Sequence, residues 1–250
     1  SRRSVMKSSF ADTLVWTSRG PVNVGGRTRS ILVDPDDPER QTWYAGTAGG
    51  GIWKTEDAGQ TWIDLSPELP NLSTVALSMS ASNRDVIYAG TGEGFGGVGM
   101  ITGDGMFKST DRGTTWSRIE STKHKDFYFI NDILVDPQDE NEILVATNRG
   151  IYHTVDGGSS WDTVYKAGLR VQDLVRNPLR PSTIFAAVNT LGVIRSYDAG
   201  LTWSTSGEGI RDVRRLSLAV SPVDTNWIFA SAKTRRSDLS VFVSQDAGDS

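Results

Sequence analysis

Three observations predict an all-β protein and, within that class, a β-propeller of four-stranded antiparallel blades. First, an eight-residue turn, Ser/Thr-x-Asp-x-Gly-x-Ser/Thr-Trp, recurs at 55–62, 109–116, 154–161 and 196–203, and a fifth copy at 244–250 stops one residue before its Trp. Second, the copies lie 42 to 54 residues apart, a period that marks a repeat architecture with the propeller blade a leading candidate. Third, the segments between the turns are short, β-branched and aromatic, and none has a helical period.

The strands follow in a fixed order within each repeat. The first ends in a turn: ILVDP (31–35), ILVDP (133–137), LVRNP (174–178), LAVSP (218–222). The second is TWYAGT (42–47), VIYAGT (86–91), EILVAT (142–147), TIFAAV (183–188) and WIFASA (227–232). The third leads into the aspartate turn: GIWKT (51–55), GMFKS (105–109), GIYHT (150–154), GVIRS (192–196), SVFVS (240–244). The fourth opens with the Trp, as in TWSRI (115–119) and SWDTV (160–164). Four antiparallel strands per repeat make a propeller blade.

The turn has a structural chemistry of its own. Asp57, Asp111, Asp156, Asp198 and Asp246 can accept backbone N–H groups one or two residues on. Gly at the second position after each Asp supplies a positive φ, and the flanking hydroxyls can tie the hairpin arms. Trp62, Trp116, Trp161 and Trp203 supply large rings for burial. These residues are expected to serve folding and not catalysis.

The motif resembles the Asp-box, or bacterial neuraminidase repeat, of sialidases, xyloglucanases, sortilin-type receptor propellers and a photosystem assembly factor. The resemblance spans nearly the whole chain. The stretch from GPVNVGGRTRSILVDP to GIWKTEDAGQTW (21–62), with YAGTGEGFGG (88–97), is similar to secreted bacterial repeat proteins often labelled glycosyl hydrolase. Many of those carry a C-terminal type IX secretion signal, which residues 1–250 are not expected to contain. The resemblance implies that the Asp-box hairpin joins the third and fourth strands at the outer rim, and that ligands meet the opposite face. The fold it implies hosts unrelated activities, so function must be argued from the site.

The repeats divide the chain into a 1–29 N-terminal segment and blades at about 30–66, 73–120, 130–166, 170–206 and 215–250. The last is expected to be incomplete, with the remainder of the chain missing after Ser250. DTLVWTS (12–18) offers the alternative, an outer strand in which Trp16 takes the role of the repeat Trp and closes a five-blade ring.

Composition excludes several classes. The chain has 250 residues, no Cys and two His, which removes disulfides, thiolate metal sites and His-rich zinc sites. A net charge of −4 with both signs scattered gives no basic field for nucleic acid. No apolar run approaches a membrane span. No cofactor and no metal site is indicated.

Candidate ligand residues fall in loops opposite the turns. NVGGRTRS (23–30) brings Arg27 and Arg29, whose guanidinium forks suit carboxylates or sugars but also suit a solvated surface. The long loop GTGEGFGGVGMITGDG (90–105) holds Glu93 and Asp104, able to ligate Ca²⁺ or to act as a carboxyl pair, or merely to sit in a glycine-rich turn. KHKDFYFINDI (123–133) contributes His124, Asp126, Tyr128, Asn131 and Asp132. That mixture suits sugar stacking, while Phe127, Phe129 and Ile130 could equally be core. Asp173 and the Arg211–Arg215 stretch, Arg214 above all, enter later blades at equivalent places. His153 reads as packed within a strand. A sialidase-like site would need an Arg triad, a Tyr–Glu pair and Arg-Ile-Pro, and that last motif is absent. A xyloglucanase-like chain would place a catalytic Asp where Ala48 stands. A different pair, such as Glu93 with Asp132, stays open.

The sequence therefore favours a secreted or cell-surface bacterial propeller that binds or scaffolds a glycan or extracellular protein partner, with no confirmed catalytic constellation. The alternatives are a glycoside hydrolase acting on extracellular polysaccharide, and a protein-interaction subunit of a surface or secretion assembly.

Overall fold

The computed structural model describes residues 27–95, 99–166, 168–206, 210–234 and 239–249. The 12–18 segment with Trp16 lies outside them, as do residues 96–98 of the glycine-rich loop. Nineteen strands and two single-turn 3₁₀ helices, Glu120–Thr122 and Lys125–Phe127, make up the described regular structure.

The strands form five antiparallel sheets, the blades of an all-β propeller. Blade 1 runs β1 (Thr28–Val33), β2 (Trp43–Thr47), β3 (Ile52–Thr55) and β4 (Ile63–Asp64). Blade 2 runs β5 (Thr74–Met79), β6 (Ile87–Thr91), β7 (Met106–Ser109) and β8 (Ser117–Arg118). Blade 3 is β9 (Ile130–Val135), β10 (Ile143–Thr147), β11 (Ile151–Thr154) and β12 (Asp162–Tyr165). Blade 4 is β13 (Val171–Arg176), β14 (Ile184–Val188), β15 (Gly192–Ser196) and β16 (Ser204–Ser206). Blade 5 shows three strands among the described residues: β17 (Val213–Val220), β18 (Ile228–Thr234) and β19 (Leu239–Ser244). Within each sheet the strands lie in chain order, and the first strands of successive blades are neighbours around the centre.

Apolar sequence follows position in the stack. Second strands sandwiched between two blades are buried on both faces, and β10 (ILVAT) and β14 (IFAAV) are buried at every residue. The core consists of inter-blade layers. One joins Tyr88 and Met106 to Phe127, Ile130 and Val145, and another joins Phe185 and Ala187 to Leu216, Ile228 and Ala230. Gly90 is required by the close approach of the next blade, because a Cβ there would crowd Ile130 and stand 3.2 Å from Ile133 Cδ1.

The five aspartate turns share one geometry. The hydroxyl two residues before the Asp donates to its carboxylate at 2.6–2.7 Å in every copy. The carboxylate reaches further than the sequence suggests, to the backbone N–H four residues on, at 2.8–2.9 Å in the first four turns. Two consecutive residues are left-handed, not one: Ala58, Arg112, Gly157, Ala199 and Ala247 have φ of 55–69°, and the following glycines 82–95°. The N–H of that first left-handed residue docks on a carbonyl between the first two strands of its own blade, at Gln41, Asp85, Asn141, Ser182 and Asn226. The Trp rings are half-buried, and each Trp precedes its fourth strand instead of opening it.

Two blade faces carry uncovered apolar side chains. Phe242 and Leu216 of blade 5 pack on blade 4, while Leu239, Val241 and Val243 on the other face are more than half exposed. In blade 1, Leu32 and Tyr44 pack on blade 2, and Ile31 on the opposite face is 64% exposed. Nothing among the described residues covers either face.

Candidate functional site

Each innermost strand slips register near its start, between Thr28 and Ser30, Thr74 and Ala76, Ile130 and Asp132, Val171 and Asp173, and Val213 and Arg215. A bulge re-aims the following side chain. Ser30, Ala76, Asp132, Asp173 and Arg215 accordingly line one central cavity of about 270 Å³. The bulge explains why Arg215 and not Arg214 reaches the centre. Arg214 is exposed, and its carbonyl accepts Gln172 Nε2 at 2.9 Å.

Charge is divided across this channel. Asp132 and Asp173 face each other on blades 3 and 4, and burial followed by their mutual repulsion holds Asp132 well above the usual carboxylate range. Burial likewise raises Asp173. Both carboxylates also knit blades together, since Asp132 Oδ2 accepts Leu174 N at 2.8 Å and Asp173 Oδ2 accepts Leu218 N at 2.7 Å. Protein surrounds them closely, while the channel leaves each partly accessible.

Arg29 and Arg215 stand opposite. Burial and then Arg215 lower the Arg29 pKa, against Glu93, whose Oε2 lies 2.9 Å from Arg29 Nε. That carboxylate is 5% exposed, and Arg27 approaches it at 3.9 Å. Glu93 is fixed by a backbone bridge to Ile101, with N–O contacts of 2.9 and 3.2 Å. Two residues on, Phe95 stacks against Arg29 at 4.3 Å and Arg215 at 4.4 Å. The glycine-rich loop thus inserts an aromatic ring between the first and fifth blades.

Of the six ligand candidates, Arg29, Asp132 and Asp173 meet in the channel and Glu93 sits behind Arg29. Asp104 is held elsewhere, by Arg118 on the outermost strand β8 at 2.6 Å. Arg214 stays outside. No group of three or more His, Asp or Glu side chains able to hold a metal occurs among the described residues.

A larger cavity, about 550 Å³, opens at the loop end of blade 3. The segment 123–130 divides there: Phe127 and Ile130 are fully buried in the core, and Tyr128 is 39% exposed on the cavity wall. Lys125, Asp126, Phe129, Asn148, Arg149 and Lys166 complete the lining. Asn148 is locked, donating to Gly94 O at 3.0 Å and accepting from Asn131 Nδ2 at 3.0 Å. Asp126 lies 3.4 Å from Arg149 Nε. His153 is not part of this site; it is buried, 3.1 Å from Glu142 Oε1. The sequence does not flag Phe95, Arg149 or Lys166, because single residues in irregular loops carry no pattern.

This site belongs to a five-bladed propeller with a polar loop face. No protein-family model matches the chain. Among curated proteins it is similar to xyloglucanase Xgh74A of Acetivibrio thermocellus, 27% identical over 171 residues, covering 54% of this chain and 19% of that protein. It is similar also to an oligoxyloglucan-reducing end-specific xyloglucanase of Emericella nidulans, 26% over 153 residues, covering 55% and 18%. The chain thus spans under a fifth of the length of these relatives. Among solved structures, an ancestral GH74 enzyme superposes with a TM-score of 0.70 at 20% identity, covering 92% of this chain and 31% of that one. The GH74 xyloglucanase of Xanthomonas campestris gives 0.63 at 16%, covering 90% and 44%. YCF48 from Cyanidioschyzon merolae gives 0.56 at 17%, covering 86% and 72%. These likenesses establish the propeller fold.

Proposed function

We propose that this propeller acts on an extracellular polysaccharide in the manner of a xyloglucanase-type glycoside hydrolase, with its loop face engaging the glycan. The observation that carries the reading is the sequence similarity to xyloglucanases from both a bacterium and a fungus. The loop face supports it, since an open cavity with an exposed tyrosine beside polar and charged groups is a common form of sugar site. Export of the protein fits such a substrate. No helix among the described residues is long and apolar enough to cross a membrane.

A second reading, a glycan-binding module without catalysis, is favoured by the carboxyls. Glycoside hydrolysis ordinarily uses two that flank the scissile bond. Asp132 and Asp173 both accept backbone N–H groups of the next blade. Glu93 is committed to Arg29, and the blade 3 cavity offers one carboxyl, Asp126. Ala48, buried with its N–H on Arg27 O at 2.9 Å, supplies none.

The two readings separate when this chain is incubated with xyloglucan and assayed for new reducing ends, alongside retention on a xyloglucan affinity gel. Retention with product release supports the hydrolase, and retention without release supports the binding module. Absence of both retention and release contradicts the xyloglucanase-type reading.

A further inference from the structure

The blade 3 cavity has a charge opposite to that of the protein. The chain carries −4 overall, yet this pocket presents Lys125, Arg149 and Lys166 against the one carboxylate of Asp126. Asp126 is shared between Arg149, at 3.4 Å, and His124, at 3.9 Å. Lys125 and Lys166 have neither an ion-pair partner nor a hydrogen bond among the described residues. They reach the cavity from opposite ends of blade 3, Lys125 before its innermost strand and Lys166 just after its outermost. Two unneutralised ammonium groups therefore border a cavity that also holds the exposed Tyr128 ring. An ammonium is a compact point charge that suits an anionic oxygen, and an aromatic face suits the C–H surface of a sugar ring.

We infer that the cavity at the loop end of blade 3 binds an acidic sugar, one bearing a carboxylate or a sulfate ester, stacked on Tyr128 with its anionic group between Lys125 and Lys166. The inference rests on the glycan-engaging reading above and adds a charge preference to it. A neutral glucan would leave both ammonium groups unused. The about 550 Å³ of space falls within the usual range for small-ligand pockets, roughly 300–1,000 Å³. The central channel is a poorer candidate, because its Asp132, Asp173 and Arg29 are already engaged and Phe95 lies across Arg29 and Arg215. An apolar cavity between blades 4 and 5, lined by Phe185, Ile228 and Phe242, offers no charge at all.

The test is calorimetric titration of the chain with three probes at low salt: a galacturonate hexamer, a sulfated carrageenan tetrasaccharide and a neutral xyloglucan nonasaccharide. At least one acidic probe should bind tenfold or more tighter than the neutral one, and the arm that binds identifies carboxylate or sulfate. Raising the salt should weaken the acidic probe selectively, as screening requires. The Lys125→Gln/Lys166→Gln double variant should lose about tenfold or more for the acidic probe and less than twofold for the neutral one. Both lysines are exposed, so unchanged thermal midpoints in that variant should accompany the loss. Tyr128→Ala should weaken every probe that binds. A neutral probe that binds as tightly as the acidic ones, or an unaffected double variant, overturns the charge preference and leaves glycan recognition standing. Absence of binding by all three overturns both.

Discussion

The Arg215 guanidinium of blade 5 lies 4.4 Å from the centroid of the Phe95 ring, which belongs to the long loop of blade 2. The same ring meets Arg29 of blade 1 at 4.3 Å. Three blades that are not all sequence neighbours thus share one aromatic clasp. Cation–π contacts contribute about 0.5–2 kcal/mol each depending on desolvation. Phe95→Ala is expected to release the first and fifth innermost strands, and amide hydrogen exchange in 28–33 and 213–217 should accelerate several-fold. Equal exchange in the variant would show that the clasp holds nothing.

Arg112 ties blade 2 to blade 1. It donates to Asp34 at 2.9 Å and Asp36 at 2.8 Å across the interface, and to Asp85 at 2.9 Å within its own blade. Its hydrogen bonds to Asp85 and then Asp36 raise its pKa. Asp34 is 3% exposed, so removing the guanidinium leaves a buried carboxylate short of its counter-charge. Arg112→Ala should cost about 2–3 kcal/mol in chemical denaturation, below the full buried-pair penalty because Arg112 is partly solvated. Alanine occupies the same left-handed position in the first turn, at Ala58, so the backbone is not what this substitution tests. Arg112→Lys should recover only part of the loss.

The aspartate turns carry stability. Asp111→Ala removes the acceptor for Ser109, Thr115 N and Thr115 Oγ1 and should cost about 1–3 kcal/mol. Trp116→Ala strips a half-buried ring from the layer of Tyr44, Leu65 and Phe107 and should cost about 3 kcal/mol, the low end for a large aromatic. Unchanged midpoints in both variants would contradict the structural role.

Acid should unfold the protein through these turns and not through the channel. Hydroxyl and backbone donors from Thr61 hold Asp57 down at about 2, and those from Thr202 do the same for Asp198. Because the folded values are depressed, this stabilisation is present above about pH 4 and is lost as pH falls toward 2. Asp132 has the opposite sign. Its raised folded value favours the protonated fold, and that contribution disappears as pH rises above about 4 and through the folded value. Thermal midpoints from pH 3 to 8 should show Asp132→Asn gaining on the native chain as pH rises. The deficit of Asp111→Asn should be greatest near neutrality and shrink in acid. Parallel curves for all three proteins would contradict the assignment.

The turns, the strand order and the all-β class were legible because each is a local pattern repeated five times. An Asp, a Gly two residues on and a Trp five on leave little freedom for the backbone between them. The channel was only half legible. Asp132 and Asp173 stand in aligned positions, but the register slip between Val213 and Arg215 has no sequence mark and moves the central residue from Arg214 to Arg215. Asp104 matched its neighbours in chemistry, and its capture by Arg118 depends on a fourth strand that only the fold brings alongside. Phe95 is one aromatic in a glycine-rich loop. Its partners lie some 65 residues before and 120 after it in sequence, a separation that no local pattern can encode.

The central claim is that glycan meets the loop face of the propeller, at blade 3, and not the face of the aspartate turns. Amide hydrogen exchange with and without saturating oligosaccharide, using the xyloglucan nonasaccharide and the galacturonate hexamer in parallel, tests it most directly. The expected result is protection confined to 125–131, 148–149 and Lys166, with the turns at 57–61, 111–115, 156–160 and 198–202 unchanged. Protection centred on those turns, with 125–131 and 148–149 unaffected, would contradict it.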